Sequence, residues 1–367
     1  MSDDFDLFRA SGHKLFSDRK LKLGTFCSNS DGGFIVSKVE GQIAASWPST
    51  LDAAKLADAA GFEAIVPLGR WYGRHTLESY TWAAALAAVT ENPLLFSTSH
   101  VASLHPVVAA KQGATIDQIS GGRFALNIVC GWMQSEIDLF GASAAGTHVD
   151  RYAQAAEWVT IIKRLWTSPD PFDFTGEYYQ VKGAALNLNV TARPRPPIMN
   201  AGVSEVGKRF AVAHCDMVFI APKGINEEIA AQVADYRRLA REEFGREIQV
   251  WTYASVIDGE TEQDADDFYH YFVEEKGDWA QAEHHARVRN VTSPPMPPEE
   301  YRRYLEKLIA GDTGCTLMGG PDQIAEGLAR LSSYGLDGVL LAWPQYHVGL
   351  ERFQRLVLPR IERIGLR

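Results

Sequence analysis

Cysteine is scarce in this chain, and its spacing excludes the sites that clustered cysteines form. The 367 residues include four cysteines, and no two of them form a CxxC pair: Cys27, Cys130, Cys215 and Cys315. Disulfide frameworks and structural zinc sites depend on closely spaced or evenly paired cysteines. We therefore expect reduced thiols, as is typical of a cytoplasmic protein, and no metal centre.

Long apolar runs and an excess of basic residues are also absent. No apolar stretch approaches the roughly 20 residues that cross a bilayer, and the first residues, MSDDFDLFRASGHK, do not resemble a signal peptide. Hydrophobic residues make up 46% of the chain and charged residues 22%, with a formal net charge of −10. This balance indicates a globular protein without nucleic acid or membrane partners.

What the sequence does contain is a regular alternation of apolar strands and amphipathic helices from Leu21 onwards. Eight segments are typical of buried strands: LKLGTFC, FEAIVPLG, PLLFSTSHVA, RFALNIVCG, PPIMNAG, DMVFIAP, IQVWTYASVI and DGVLLAW. Apolar strands that alternate with helices indicate parallel pairing with both faces covered. Eight such units predict an α/β fold, the (β/α)₈ or TIM barrel. A doubly wound sheet is the alternative, although no GxGxxG motif follows a strand.

Two segments interrupt the alternation and predict insertions into one domain. Residues 167–196 are rich in turn and aromatic residues, which favours a small hairpin before the fifth strand. Residues 274–315 are polar and contain SPPMPP, which favours a lid-like segment between the seventh and eighth strands. With residues 1–20 as an N-terminal extension, we expect a single barrel domain over residues 21–367.

The carboxyl ends of the strands should carry the functional site, because barrels of this class place it there. The relevant segments are PLGRW, STSHVA, NIVCGW, NAGVS and LAWPQYH, which contain amides, hydroxyls and aromatic rings but few carboxylates. A metal hydrolase would need clustered histidines, and a glycosidase would need two carboxylates at these strand ends. A serine hydrolase of the common type would need a GxSxG motif. None of these patterns is present in the sequence. A pocket for a flat, polar, heteroaromatic cofactor fits these strand ends better.

Asn127 stands out because it lies inside the otherwise apolar strand RFALNIV. A buried amide without hydrogen-bond partners would cost roughly 1–3 kcal/mol of folding free energy. Asn127 is therefore either a hydrogen-bonded core amide or a group that faces a ligand.

Several segments, in the same order along the chain, resemble the bacterial-luciferase-like flavin-dependent monooxygenases. They are LESYTWAAALAAVTE, ATIDQISGGRFALNIVCGW, RYAQAAEWVTIIKRLW, FTGEYYQV and MNAGVSEVGKRFA. The chain is most similar to the branch of the pyrimidine and dimethylsulfone monooxygenases. The resemblance implies a two-component monooxygenase that uses O₂ and FMN, with the reduced FMN supplied by a separate NAD(P)H-dependent flavin reductase.

The resemblance also implies roles for individual residues. The residues at FMN-binding positions are Gly69, Arg70, Asn127, Glu136, Arg151, Tyr152 and Ser204. Thr98 and Asn127 correspond to a pocket that holds O₂ beside the flavin. We add Trp132 to this catalytic set as a wall of the pocket. On the residues alone, Tyr152 could equally be a core residue, Ser204 a helix cap and Glu136 a surface charge.

Two departures from the pyrimidine enzymes limit what can be carried over. Those enzymes have an apolar residue and a lysine where Gly69 and Arg70 stand, and a threonine where Cys130 stands. The substrate therefore stays open among a small sulfone or sulfonate, a pyrimidine-like ring and a halogenated aromatic. The alternative functions are a deazaflavin-dependent oxidoreductase on the same barrel and a flavin-binding relative without catalysis. We also expect a homo-oligomer, either a dimer or a tetramer.

Overall fold

Strands and helices alternate along the computed structural model of the chain, which describes residues 4–141, 146–289, 296–311 and 314–367. The strands are β1 (Lys22–Phe26), β2 (Ala64–Val66), β3 (Leu94–His100), β4 (Phe124–Val129), β5 (Phe172–Thr175), β6 (Gln180–Ala184), β7 (Ile198–Asn200), β8 (Met217–Phe219), β9 (Gln249–Asp258), β10 (Cys315–Gly319) and β11 (Gly338–Ala342). The helices are α1 (Asp4–Ala10), α2 (Trp47–Ala59), α3 (Ser79–Ala87), α4 (Pro106–Ser120), α5 (Gln134–Phe140), α6 (His148–Thr167), α7 (Glu205–His214), α8 (Glu228–Phe244), α9 (Glu262–Tyr269), α10 (Trp279–Val288), α11 (Pro298–Ile309), α12 (Pro321–Ser333), α13 (Tyr346–Arg352) and α14 (Leu358–Arg363). None of the described helices is both long enough and apolar enough to cross a bilayer.

Eight parallel strands follow one another in a closed ring, which confirms the predicted (β/α)₈ barrel. Their order is β1, β2, β3, β4, β7, β8, β9 and β11. β1, β9 and β11 are buried along their whole length, as expected of parallel strands with both faces covered. β10 pairs with the second half of β9, with Cys315 opposite Ala254. This strand was not predicted, because the glycines on both sides of CTLMG favour a loop.

The described chain divides into two compact units. The first comprises Met1–Asp18, Glu63–Ile220 and Gln232–Trp251, and it contains all the candidate site residues. The second comprises Arg19–Phe62, Ala221–Ala231 and Thr252–Arg367.

A hairpin lies between α6 and β7, and two carboxylates fasten this segment to the helices of the first unit. β5 and β6 pair in antiparallel fashion. Glu157 on α6 accepts hydrogen bonds from the backbone amides of Tyr178 and Tyr179 at 2.9 and 3.0 Å. Asp117 on α4 accepts one from the amide of Ala192 at 3.1 Å. Because charge-assisted hydrogen bonds are stronger than neutral ones, these contacts hold both the hairpin turn and its return segment.

The segment predicted as a lid, residues 274–315, is helical over much of its described part and packs within the second unit. Ala282 and Ala286 on α10 and Leu305 and Leu308 on α11 are buried in an apolar cluster that includes Phe272. Residues 290–295, including part of SPPMPP, and residues 312–313 lie outside the described residues. A lid function stays a prediction, and any closing motion would have to preserve this packing or expose it to water.

A buried network of charges fastens α1 to the rest of the first unit. The guanidinium of Arg195, which is 1% exposed, donates to Asp216 at 2.7 and 2.9 Å and to Asp4 on α1 at 2.6 Å. Arg246 donates to the same Asp216 carboxylate at 3.2 Å. Burial alone would raise the pKa of Asp216, but the neighbouring cations, led by Arg195, hold it below its usual range. Removing Arg195 would therefore leave a buried charge without its main partner.

His13 lies beside this network in an apolar setting. Its ring packs against Phe8 and Phe16, with ring centroids 5.2 and 5.4 Å away. The residue is partly exposed, but both ring nitrogens are inaccessible and have no hydrogen-bond partner among the described residues. Burial therefore lowers the pKa of His13 from 6.5 to about 4, although Asp216 acts in the opposite direction.

This pKa predicts a loss of stability in mild acid. The unfolded chain takes up the His13 proton as the pH falls through 6.5, whereas the folded protein resists it until about pH 4. Within this window we expect the unfolding temperature of the wild type to fall more than that of His13→Phe, with equal responses above pH 7. Thermal unfolding followed by circular dichroism measures both, and parallel pH profiles would assign the acid sensitivity to other groups.

Candidate active site

Thr98 and Asn127 lie side by side in the second halves of two neighbouring strands. They are paired in the β3–β4 register. The amide nitrogen of Asn127 donates to the Thr98 hydroxyl oxygen at 3.2 Å, and that hydroxyl donates to the backbone carbonyl of Pro67 at 2.7 Å. The amide oxygen of Asn127 is buried and has no hydrogen-bond partner among the described residues. Asn127 is thus only half satisfied by the protein, which favours the ligand-facing alternative.

Gly69 allows the chain that follows β2 to pass close to Thr98. A Cβ atom at position 69 would lie 2.6 Å from Cγ2 of Thr98, which is too close for any side chain without movement of the threonine. The glycine therefore contributes by its small size, and it brings the backbone after β2 against the Thr98–Asn127 pair.

Glu136 brings together polar groups from three separate segments. The residue is 4% exposed, so it is not a surface charge. One carboxylate oxygen accepts a hydrogen bond from the backbone amide of Trp71 at 3.0 Å. The other lies 3.6 Å from Nη1 of Arg70 and 3.6 Å from Nδ1 of His100. Arg70 in turn has its guanidinium carbon 4.9 Å from the ring centre of Trp132.

His100 is the titratable member of this cluster and is 5% exposed. Burial lowers the pKa of His100, the carboxylate of Glu136 raises it, and the positive charge of Arg70 lowers it again. The net direction is downwards, so the imidazole is neutral near pH 7. The cluster of Arg70, Glu136 and His100 is therefore close to electrically neutral.

Tyr152 and Ser204 meet where α6 and α7 begin. The Ser204 hydroxyl caps α7 by accepting a hydrogen bond from the amide of Gly207 at 3.1 Å, and it lies 3.0 Å from Nε2 of His148. A Cβ atom at Gly207 would lie 2.6 Å from the Tyr152 hydroxyl oxygen. Burial raises the pKa of Tyr152 above its usual value, so this hydroxyl stays protonated and can donate a hydrogen bond.

Arg151 braces the loop after β4 from the first turn of α6. Its Nε donates to the carbonyl of Gly131 at 3.2 Å and its Nη1 to the carbonyl of Gly146 at 3.1 Å. The Cys130 thiol, one of four buried free thiols, lies beside this loop, and burial raises its pKa. A protonated thiol is a weak nucleophile, so the structure favours packing over catalysis for Cys130.

Asn200 is a residue of this region that the sequence analysis missed. It is 2% exposed at the end of β7, donates to the carbonyl of Ile128 at 2.7 Å and accepts from the amide of Gly202 at 2.8 Å. The sequence contains a pattern that could have identified Asn200. An asparagine ends the apolar strand in IMNAG, much as Asn127 interrupts the apolar strand RFALNIV. No three His, Cys, Asp or Glu side chains within the described ranges are arranged to hold a metal ion.

A family model matches most of the chain. Residues 21–338 match the family model described as luciferase-like monooxygenase. Because this match spans most of the chain, the protein belongs to the luciferase-like monooxygenase family, as the resemblance predicted.

Two curated relatives match over nearly their full length. The chain is 30% identical to the FMNH(2)-dependent dimethylsulfone monooxygenase of Pseudomonas putida, over 94% of this chain and 96% of the relative. It is 26% identical to the pyrimidine monooxygenase RutA of Acinetobacter baylyi, over 92% and 94%. Both belong to the branch that the sequence indicated.

Solved structures share the fold at lower identity. The long-chain alkane monooxygenase LadA superposes with a TM-score of 0.82 at 21% identity, over 95% of this chain and 92% of that one. DmoA from Hyphomicrobium sulfonivorans also superposes with a TM-score of 0.82, at 20% identity over 94% of this chain and 88% of that one. At this identity the likeness establishes the barrel alone.

The Glu136 cluster yields a directional prediction. Replacing Glu136 by Gln removes the charge that raises the pKa of His100 and keeps an acceptor for the Trp71 amide. We therefore expect the pKa of His100 to fall further in Glu136→Gln, as measured by ¹H–¹⁵N histidine NMR against pH. Asp138→Asn, on the same helix but outside the cluster, is the matched control. An unchanged His100 titration in Glu136→Gln would show that the two groups do not interact.

Proposed function

We propose that the protein is a two-component FMN-dependent monooxygenase that oxygenates a small organic substrate with O₂. Reduced FMN would come from a separate NAD(P)H-dependent flavin reductase. The observation that carries the proposal is the Thr98–Asn127 pair on two barrel strands, in which the buried amide oxygen of Asn127 lacks a hydrogen-bond partner among the described residues. Family membership and the FMNH(2)-dependent relative support the choice of cofactor.

The residues present fit a flavin mononucleotide. The unpaired Asn127 oxygen suits an N–H donor at the edge of a flavin ring, since such a bond would remove the cost of leaving the oxygen unsatisfied. Gly69 lets the backbone after β2 lie against Thr98, which brings that backbone to the same edge of the site. Glu136, whose oxygens are shared among Arg70, Trp71 and His100, would act by fixing this edge of the site.

The phosphate of the cofactor would lie near Tyr152 and Ser204. The first turn of α7 offers backbone amides and the positive end of a helix dipole, which together favour a phosphate. Tyr152 adds a protonated hydroxyl. Arg151 lies beside them, and its loop contacts would have to tolerate or exchange with a phosphate oxygen.

Bound reduced FMN supplies the two electrons with which O₂ is activated. The protein's own groups position and protect this chemistry. Thr98 and Asn127 present a hydroxyl and an amide next to each other, and we assign to this pair the role of binding O₂. Trp132 belongs to the rim of the site and would limit the access of water.

The main competing function is hydride transfer with a deazaflavin cofactor. The solved structure of a coenzyme F420-dependent tetrahydromethanopterin reductase shares the fold, with a TM-score of 0.68 but only 16% identity. The FMNH(2)-dependent relative is 30% identical, which favours FMN.

Direct titration distinguishes the two cofactors. We expect the purified protein to bind FMN more tightly than FAD or riboflavin, because the proposed site takes one phosphate and one ring, and more tightly than a deazaflavin, because the 30% identical relative is FMNH(2)-dependent. With a flavin reductase, NADH and O₂, it should form an oxygenated product. Tighter deazaflavin binding, or FMN binding without product from any substrate of a broad panel, would overturn the proposal.

The role of Thr98 is tested by removing its hydroxyl at nearly constant volume. Thr98→Val should lower oxygenated product per NADH by about tenfold, the equivalent of one lost hydrogen bond, and leave FMN affinity within about threefold. Ser97→Ala is the matched control, because Ser97 bonds to the carbonyl of Ser79 on α3 instead of to Asn127. If Thr98→Val forms as much oxygenated product per NADH as the wild type, Thr98 does not hold O₂.

A further inference from the structure

Three large aromatic side chains are exposed beside the Arg70–Glu136 cluster. Trp71 is 47% exposed, Tyr72 61% and Trp132 53%. We call these three residues the aromatic rim. Large exposed rings are informative when they gather at one place, because a soluble protein normally buries such area or uses it for binding.

The rim is fastened to the site at its base. The backbone amide of Trp71 is hydrogen-bonded to Glu136, and the Trp132 ring lies over the Arg70 guanidinium. The ring of Trp71 also makes an edge contact with Phe140 on α5, with centroids 5.8 Å apart. Two loops, one after β2 and one after β4, are thereby held in a defined relation while their rings remain open to solvent.

The charge beside the rim is already balanced. The guanidinium of Arg70 lies 3.6 Å from the Glu136 carboxylate, and the neighbouring His100 is neutral near pH 7. An anionic ligand would therefore gain little from Arg70 and would face the carboxylate. A neutral ring, in contrast, can stack on indole, phenol and guanidinium planes without giving up a charge partner.

We propose that the aromatic rim binds the planar ring of the substrate, and that the preferred substrates are neutral aromatic or heteroaromatic compounds, not small aliphatic or anionic ones. This inference rests on the proposed function, since it concerns the substrate of the same site. It chooses among the substrate classes that the sequence left open and gives Trp132 a binding role.

The test uses matched probes and the FMN-loaded protein. Methyl phenyl sulfone and dimethyl sulfone share the sulfone group and differ in the ring, whereas benzenesulfonate keeps the ring and adds a negative charge. Their dissociation constants can be measured by calorimetry for the wild type, Trp132→Leu and Trp71→Leu. Trp47→Leu is the matched control, because Trp47 is 39% exposed at the start of α2 and does not belong to the rim.

We expect the wild type to bind methyl phenyl sulfone about tenfold more tightly than dimethyl sulfone, and more tightly than benzenesulfonate. Trp132→Leu and Trp71→Leu should each remove most of this preference, while Trp47→Leu keeps it. An absent preference in the wild type, or a preference that survives both rim substitutions, would overturn the inference.

Further outcomes distinguish ring binding at the rim from protein docking and from a failure of the proposed function. If the rim substitutions weaken productive coupling to the flavin reductase while the ring preference stays intact, the rim docks a protein and the inference is wrong. If the wild type does not bind FMN, the proposed function itself fails. If it binds FMN and oxygenates a substrate but shows no ring preference, only the rim assignment fails.

Discussion

The register between β3 and β4 is the constraint on which the site depends. Six consecutive pairs, from Leu95 opposite Phe124 to His100 opposite Val129, place Thr98 opposite Asn127. A shift by one residue would turn one member of the pair to the other face of the sheet. Both faces of β3 are buried, so a shift would force side chains of different size and polarity into the packing of the opposite face, which opposes it. Core packing therefore positions Thr98 and Asn127.

Glu136 extends this order beyond the barrel strands. A buried carboxylate without partners would be strongly unfavourable, so its position requires Arg70, Trp71 and His100 to stay close. In return it fixes the chain after β2 against the end of β3. The same contact leaves the local charge balanced, which shapes the kind of molecule that can bind nearby. One side chain thus affects both the geometry and the polarity of the entrance.

The sequence pattern was sufficient for the barrel and for marking Asn127, whereas the pairing of Asn127 with Thr98 was implied by the family resemblance. Strand alternation predicts the ring, and a polar residue in an apolar strand marks itself. Glu136 was ambiguous, since it lies in the polar segment MQSE and its partners come from positions 70, 71 and 100. Asn200 was missed because it ends a strand of three residues, and β10 was missed because its five residues are flanked by glycines. The periodicity of one segment does not show which distant segments it contacts in the folded protein.

The attachment of α1 affects the order in which parts of the protein fold during synthesis. Asp4 and its partner Arg195 are separated by 191 positions in the chain, and Asp216 and Arg246 come later still. During synthesis the first helix leaves the ribosome long before these partners exist, and chains fold largely as they emerge. Its apolar residues Phe5 and Phe8 must remain uncovered during that interval. α1 is thus made well before the partners that secure it, and it stays open to unwanted association during that interval.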